Sequence, residues 1–375
     1  MATTRLLRPS TACLRALHKQ QPRCLPHNLQ QYRHNTTSTP STPQTSPFAP
    51  RHLLSIADLT PSELTALITS SRKHKTLSKS GAPSPLASSL LGQTIAVMFA
   101  KRSTRTRVST EAAVASMGGH PMFLGAGDIQ LGVNESLYDT SVVISSMVSA
   151  IVARVNGHED VAQLAKHSSV PVINALSDAF HPLQTIADFL TIHEAFPKEG
   201  AGEGGGLGLE GLKIAWVGDA NNVLYDLAIG AAKLGVTLSV ATPRGYGIPG
   251  HMREVITSAS PTSSSAFLTE TNVPEEALKN ADIVVTDTWI SMGQEAEKAE
   301  KMKAFAGFQI TKELVERGGA REGWKFMHCL PRHPEEVSDE VFYSPASLVF
   351  QEAENRLWAA VGALEGFVVN KGVIR

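Results

Sequence analysis

Residues 99–113, FAKRSTRTRVSTEAA, put four cations, Lys101, Arg102, Arg105 and Arg107, within seven positions. The hydroxyls of Ser103, Thr104, Thr106 and Ser109 are interleaved with them. An apolar run, QTIAVMFA (93–100), comes before, and a helix-like pattern closed by Gly118 and Gly119 comes after. A strand that enters a helix through such a loop points free backbone N–H groups and the positive end of the helix dipole at one spot, which is the chemistry of phosphate binding. Arginine adds planar, two-point recognition of phosphate oxygens. On these residues alone, a small-anion site and a structural ion-pair cluster both stay open. A nucleic-acid surface is disfavoured: no aromatics interleave, and beyond residue 57 only 27 of the 34 basic residues face all 35 acidic ones.

Three further stretches carry polar groups at predicted strand ends. WVGDANNVLYD (216–226) brings Asp219, Asn221 and Asn222 after Gly218, but it does not satisfy G-x-G-x-x-G, so dinucleotide binding is disfavoured. The Asn amides suit a small polar ligand or a helix cap. TDTWISMG (286–293) and MHCLPR (327–332) put Asp287, Ser291, Cys329 and Arg332 on the rim where open α/β sheets bind ligands. Cys329 equally suits a small buried hydrophobe, and His328 a structural histidine. His181, His193 and His328 lack metal-ligand spacing, and there is no G-x-S-x-G elbow, so neither a zinc centre nor Ser–His–Asp hydrolysis is expected.

The elements that must position these groups alternate strand and helix. The apolar runs 93–100, 149–155 and 170–176 read as strands, and 181–196 as a long helix. A Gly-rich insert (199–211) without the Lys-Ser/Thr of a phosphate loop reads as a surface loop at a domain junction. A second series follows, with strands over 213–218, 238–243, 282–287 and 324–329, and the chain closes on an apolar helix over 347–368. Thr60, Pro61 and Glu63 have the chemistry of a helix start. The pattern predicts two parallel α/β units.

Residues 1–57 contain no acidic residue, and Arg5, Leu6, Leu7, Arg8, Leu14, Arg15 and Leu17 can form a short basic amphipathic helix. That is the composition of a mitochondrial transit peptide; a tail carrying no address is the alternative. Cys13 and Cys24 fall in this segment, which leaves Cys329 as the only thiol beyond it and no intrachain disulfide there. No uncharged apolar run approaches the ~20 residues that span a bilayer.

STRTR (103–107), HPLQ (181–184), DTWISMG (287–293) and HCLPR (328–332) occur in an order and spacing that resemble the aspartate/ornithine carbamoyltransferase family. The likeness covers about residues 52–370. STRTR and HPLQ are common to both branches, whereas DTWISMG and HCLP resemble the ornithine branch of mitochondrial type. The resemblance implies two doubly wound parallel-sheet α/β domains linked by two interdomain helices. Residues 1–45 would be transit peptide and linker. Residues 46–182, completed by the C-terminal helix 347–375, would bind carbamoyl phosphate, and 183–346 would bind L-ornithine. It implies transfer of the carbamoyl group to the δ-amine of ornithine, giving citrulline and phosphate in arginine biosynthesis, without cofactor or metal. It also implies a homotrimer with interfacial sites in the mitochondrial matrix, and no nucleic-acid or membrane partner.

Residue by residue, the resemblance assigns Ser103, Thr104, Arg105 and Thr106 to the phosphate, and Arg154 to phosphate and carbonyl oxygen. His181 and Gln184 would fix the carbamoyl group, and Gln130 would reach a neighbouring subunit's site. Asn222, Asp287, Ser291 and Met292 would bind ornithine, with Asp287 on the α-ammonium. Cys329 and Leu330 would form the loop at the reacting centre, and Arg356 would stand beside the carbonyl. Arg154, His181 and Cys329 are the expected catalytic residues, and Gly293 a possible hinge of a closing loop. Lys101, Arg102 and Arg107 are expected to be structural or interfacial. Rival readings are a transcarbamoylase for putrescine, N-acetylornithine or aspartate, and a non-catalytic regulatory homologue.

Overall fold

The computed structural model describes residues 49–127, 135–198, 206–261, 265–290 and 298–375. Four strands, β1 (Thr94–Phe99), β2 (His120–Gly125), β3 (Ala150–Arg154) and β4 (Val172–Leu176), form one sheet in the order β2-β1-β3-β4. Five more, β5 (Lys213–Val217), β6 (Thr237–Ala241), β7 (Leu268–Thr271), β8 (Ile283–Thr286) and β9 (Lys325–His328), form a second in the order β7-β6-β5-β8-β9. Every pairing is parallel. The helices of the first series are α1 (Pro61–Lys79), α2 (Arg105–Ser116), α3 (Leu137–Ser145), α4 (His158–His167) and α5 (Pro182–Ala195). Those of the second are α6 (Asn222–Leu234), α7 (Gly250–Ser258), α8 (Pro274–Leu278), α9 (Lys298–Ala304), α10 (Lys312–Gly318), α11 (Asp339–Phe342) and α12 (Val349–Leu364). The fold is therefore two parallel-sheet α/β units, as the alternation of patterns predicts.

Central strands β1, β3, β5 and β8 are buried along nearly their whole length, which is why they read as continuous apolar runs. β2 and β7 were not expected from the sequence. They are edge strands, HPMFLG and LTET, only partly covered, and an edge needs no long apolar run. The start of α1 is as read: Thr60 Oγ1 accepts the Glu63 N–H at 3.2 Å, and the Glu63 carboxylate accepts the Thr60 N–H at 2.8 Å.

In both sheets the chain order reverses beside the first strand, between β1 and β3 and between β5 and β8. Loops diverge at these switch points and leave a crevice at the carboxyl ends of the strands. Two helices join the sheets. α5 is buried on all sides from Pro182 to His193, and α12 packs on α5, α2, α1 and the end of β9. α5 also lies close against α6: a Cβ on Gly230 would stand 2.4 Å from the Phe189 ring, so only glycine fits there.

The residues ahead of α1 form a strap. Leu53 pairs in parallel with Ile173 on the free edge of β4, with its N–H on Val172 O at 3.0 Å and its C=O receiving the Asn174 N–H at 2.8 Å. The strap then crosses to α6 through Ser55 and Ile56.

Candidate active site

The loops at the two switch points line one cleft of about 770 Å³. Residues 101–106 after β1, Arg154 at the end of β3, and His181 ahead of α5 form one wall. Residues 219–223 after β5, Asp287 after β8, and Cys329 and Leu330 after β9 form the other, with Arg356 of α12 at the base. Strand ends of both sheets, with α12, thus bring together side chains as far apart in sequence as Lys101 and Arg356.

On the first wall, Thr104 at the start of α2 makes no side-chain cap, and Ser103 Oγ accepts only the Thr106 N–H, at 3.3 Å. The N-terminal amides of α2 and its dipole therefore face the cleft. Arg105 Nη2 crosses the cleft to donate to Leu330 O at 2.5 Å. Arg356 Nη2 donates to Thr106 Oγ1 at 3.3 Å, and its Nη1 to Gln184 Oε1. Arg154 and Arg356 are buried, and burial pushes both down to about 10 from the ordinary guanidinium range, with the Arg105 charge adding to the effect. Both stay cationic at neutral pH. The buried Nε–H groups of Arg154 and Arg356 have no protein acceptor among the described residues. A cationic floor with orphaned donors matches a doubly charged phosphate and a developing oxyanion.

His181 is buried, and burial together with the charges of Arg356, Arg154 and Arg105 holds its imidazole well below its usual range. It is neutral at physiological pH, and its Nδ1 has no partner among the described residues. Gln184 stands one turn along α5 behind His181, off the cleft lining. Its Nε2 donates to Asp188 at 2.8 Å and to Glu352 at 2.9 Å, and its Oε1 accepts from Arg356. Burial pushes Asp188 up to about 7 and Glu352 well above the carboxylate range; Asp188 raises Glu352 further, while the hydrogen bond between them holds Asp188 lower, so Glu352 carries the proton of the pair.

On the second wall, Asp287 is the hub. Its Oδ1 accepts from the Cys329 thiol at 2.9 Å and its Oδ2 from Asn221 Nδ2 at 2.8 Å. Burial, reinforced by Asp287, pushes the Cys329 thiol well above 9, so it is a neutral donor and not a thiolate. The Leu330 N–H donates to His328 Nδ1 at 2.9 Å, which leaves the other ring nitrogen, Nε2, to carry the proton toward Glu336 at 3.0 Å. His328 is therefore a structural histidine that holds the 329–331 turn.

Asn221 and Asn222 divide their tasks. Asn221 caps α6, with its Oδ1 accepting the N–H groups of Val223 and Leu224, and its amide faces Asp287. Asn222, the first helical residue, donates to Ser177 O at 2.6 Å. The sequence leaves Asn221 open between a ligand contact and a helix cap; in the structure it is the cap. Arg107 points away from the cleft, paired with Glu111 at 2.8 Å and stacked 3.6 Å over the Phe123 ring. Lys101 and Arg102 line the cleft mouth, nearer the ligand space than a purely structural role requires. Gln130, Ser291, Met292 and Gly293 lie outside the described residues.

Among the described residues no group of three or more His, Cys, Asp or Glu could hold a metal ion, and no helix is long and apolar enough to cross a membrane.

Comparison with known proteins places the chain in a family. Residues 51–194 match the family model for the aspartate/ornithine carbamoyltransferase carbamoyl-P binding domain, and residues 210–365 that for the Asp/Orn binding domain. The mitochondrial ornithine carbamoyltransferase of Emericella nidulans is 67% identical over 365 residues, 97% of this chain and 99% of its own. That of Schizosaccharomyces pombe is 57% identical over 328 residues, 87% of this chain and 96% of its own. The crystal structure of a mitochondrial ornithine carbamoyltransferase from Coccidioides immitis superposes with a TM-score of 0.80 at 66% identity, covering 87% of this chain and 100% of that one. The Pyrococcus furiosus ornithine carbamoyltransferase gives 0.77 at 42% identity, over 86% and 98%.

Proposed function

The chain belongs to the aspartate/ornithine carbamoyltransferase family, and we propose that the cleft between its two sheets is where carbamoyl passes from carbamoyl phosphate to L-ornithine. The enzyme is a transferase of the mitochondrion that joins the carbamoyl group to the δ-amine of ornithine, releasing L-citrulline and phosphate. One observation carries the residue assignments. A floor of arginines with unspent donors stands across one cleft from a buried carboxylate, Asp287, so an anionic and an ammonium-bearing substrate would meet between them.

In this reading the Ser103–Thr106 amides and Arg105 hold the phosphate. Arg154, Thr106 and His181 donate to the carbonyl oxygen as it gains charge, and Arg356 stands beside it. Gln184, behind His181 and off the cleft lining, acts on the carbamoyl group through Arg356, which donates to its Oε1. Asp287 takes the α-ammonium of ornithine, and Asn222 with Ser291 and Met292 takes its carboxylate. The neutral Cys329 thiol, bound to Asp287, and the Leu330 carbonyl orient the δ-amine. Gln130 comes from a neighbouring subunit of a homotrimer; the apolar side chains exposed on α3, Tyr138, Val142 and Val143, support self-assembly. Residues 46–182 with 347–375 serve carbamoyl phosphate and 183–346 serve ornithine, and the basic leader over 1–45 directs the chain to the matrix.

An alkyl ammonium has a pKa of ~10.4, and the nucleophile must be neutral. His181, surrounded by arginines, is a poor proton acceptor, and the Cys329 thiol holds its own proton. The site therefore selects the minor amine form, and the leaving phosphate takes the proton. Holding both substrates in line supplies much of the acceleration.

A colorimetric citrulline assay on the purified enzyme with ornithine, putrescine, N-acetylornithine and aspartate tests the assignment. Ornithine alone is expected to give rapid product, with a rate that falls steeply from pH 9 to pH 6. Asp287→Ala is expected to lose at least ~100-fold in kcat/KM for ornithine, about 2.7 kcal/mol of transition-state binding. Retained ornithine activity in that variant, or a flat pH profile with chemistry rate-limiting, overturns it.

A further inference from the structure

Asp226 lies in the second turn of α6, is completely buried, and does not line the cleft. Its carboxyl group collects three donors from two parts of the fold, the strap and the start of α5. Oδ1 accepts from Ser55 Oγ at 2.8 Å and from the Ile56 N–H at 3.0 Å; Oδ2 accepts from the His181 N–H at 2.8 Å. Two of the three are backbone amides, which can only donate.

His181 depends on this contact more than its neighbours do. Its ring makes no hydrogen bond to a described residue, and Nδ1 is buried without a partner. It caps α5 with φ −141° and ψ 66°, without a side-chain cap bond, and Pro182 follows it with no N–H to anchor. The orientation of the ring is therefore set through the backbone, and the one backbone donor at that point goes to Asp226.

We propose that Asp226 is a positioning residue for carbamoyl transfer: it clamps the His181 peptide, and is itself held in register by Ser55 and Ile56 of the strap, so that the imidazole meets the carbamoyl oxygen. The inference rests on the reading of His181 given above. Burial pushes the Asp226 carboxyl up to about 7, the Asp58 charge acting in the same direction and the three donors opposing it. The other charged or titratable groups facing it are Lys233 on α6 and His181 itself. Only Ser55 can turn from donor to acceptor when this carboxyl is protonated, so the clamp is complete only in the ionised form.

An asparagine has the same shape but only one acceptor oxygen. Whichever way its amide turns, its NH2 faces either the His181 N–H or the Ile56 N–H, and one side of the clamp opens. The test compares kcat, both KM values and the pH 6–9 profile of the full enzyme with Asp226→Asn, Ser55→Ala and His181→Ala, each checked by thermal melting. Asp226→Asn is expected to lose ~10–100-fold in kcat, the scale of a sub-ångström to 1 Å misplacement, with the ornithine KM within about twofold. Its profile is expected to lack the ionisation near 7 that wild type carries, keeping only the amine limb common to all variants. If that variant does not fold, Ser55→Ala carries the test, because it keeps both backbone donors: a loss in kcat of about threefold at unchanged ornithine KM supports the clamp, and wild-type kinetics overturn it. Asp226→Asn with kcat within twofold of wild type, or with both KM values rising and the profile unchanged, overturns it as well. Full activity in His181→Ala overturns the catalytic reading of His181 instead, which separates the two failures.

Discussion

Cys329 is the residue whose chemistry the fold changes most. A free thiol titrates near 8.5, but here burial and the Asp287 carboxylate keep it protonated well above 9. Its chemistry is donation to Asp287, not nucleophilic attack. Cys329→Ser, which keeps a donor, is expected to stay within ~10-fold of wild-type kcat, and Cys329→Ala to fall further. Alkylation by iodoacetamide at pH 8, followed on the Cys329 peptide, is expected to be slow in the folded enzyme and fast after unfolding; rapid alkylation of native enzyme removes the argument. Single residues were legible where a strand end announced them, as at Arg105, Asp287 and Cys329, whereas Arg154, inside the run read as a strand, was named only by the family resemblance. The division between Asn221 and Asn222 was not legible, because two adjacent asparagines look alike until the helix start decides which one caps. Nor was the engagement of Gln184 with Asp188 and Glu352, since Glu352 lies 168 residues away.

At the scale of elements, the strap is the part whose importance the sequence conceals. It is short, irregular and preceded by a Pro/Ser/Thr linker, yet it covers the edge of β4. His52 Nδ1 accepts the Val172 N–H at 3.0 Å and so must be neutral, and burial pushes it down to about 4 from 6.5. A base whose folded pKa is depressed contributes stability that is present above its unfolded pKa and lost as pH falls toward its folded one. The His52 contribution is therefore complete above about pH 6.5 and drains away between 6.5 and 4. His52→Gln, which keeps an acceptor but cannot be protonated, is expected to lose less melting temperature than wild type between pH 7 and pH 5. An equal or greater loss contradicts the assignment. The central strands and the helices flanking the motifs were legible because burial on both faces demands apolar runs. The edge strands β2 and β7 escaped for the opposite reason.

At the scale of the whole molecule, two switch points open onto one cleft because α5 and α12 hold the sheets with their carboxyl ends toward it. The outer surface carries its own information: on and just after α3, Tyr138 is 55% exposed and Met147 68%, beside Val142 and Val143. Exposed apolar side chains in such a row mark a contact surface. The double variant Val143→Glu/Met147→Glu is expected to sediment as a smaller species than wild type and to lose activity with it. An unchanged sedimentation coefficient contradicts self-assembly through this face. Assembly could not be read from the sequence, since the period of α3 does not say whether an apolar face meets its own domain or another chain.

The strap also fixes an order of events. A chain is made from its amino end, so Leu53 and Ser55 emerge early, but the β4 edge that receives Leu53 and the Asp226 that receives Ser55 come about 120 and 171 residues later. Closing loops of that length is slow compared with forming the local βα units. The first residues of the folded body are thus expected to dock late, and the Asp226 that holds the His181 peptide is not fixed in register until they do. A partly made or partly folded chain is expected to own an assembled phosphate loop but no working catalyst, so activity appears only with completion of the fold.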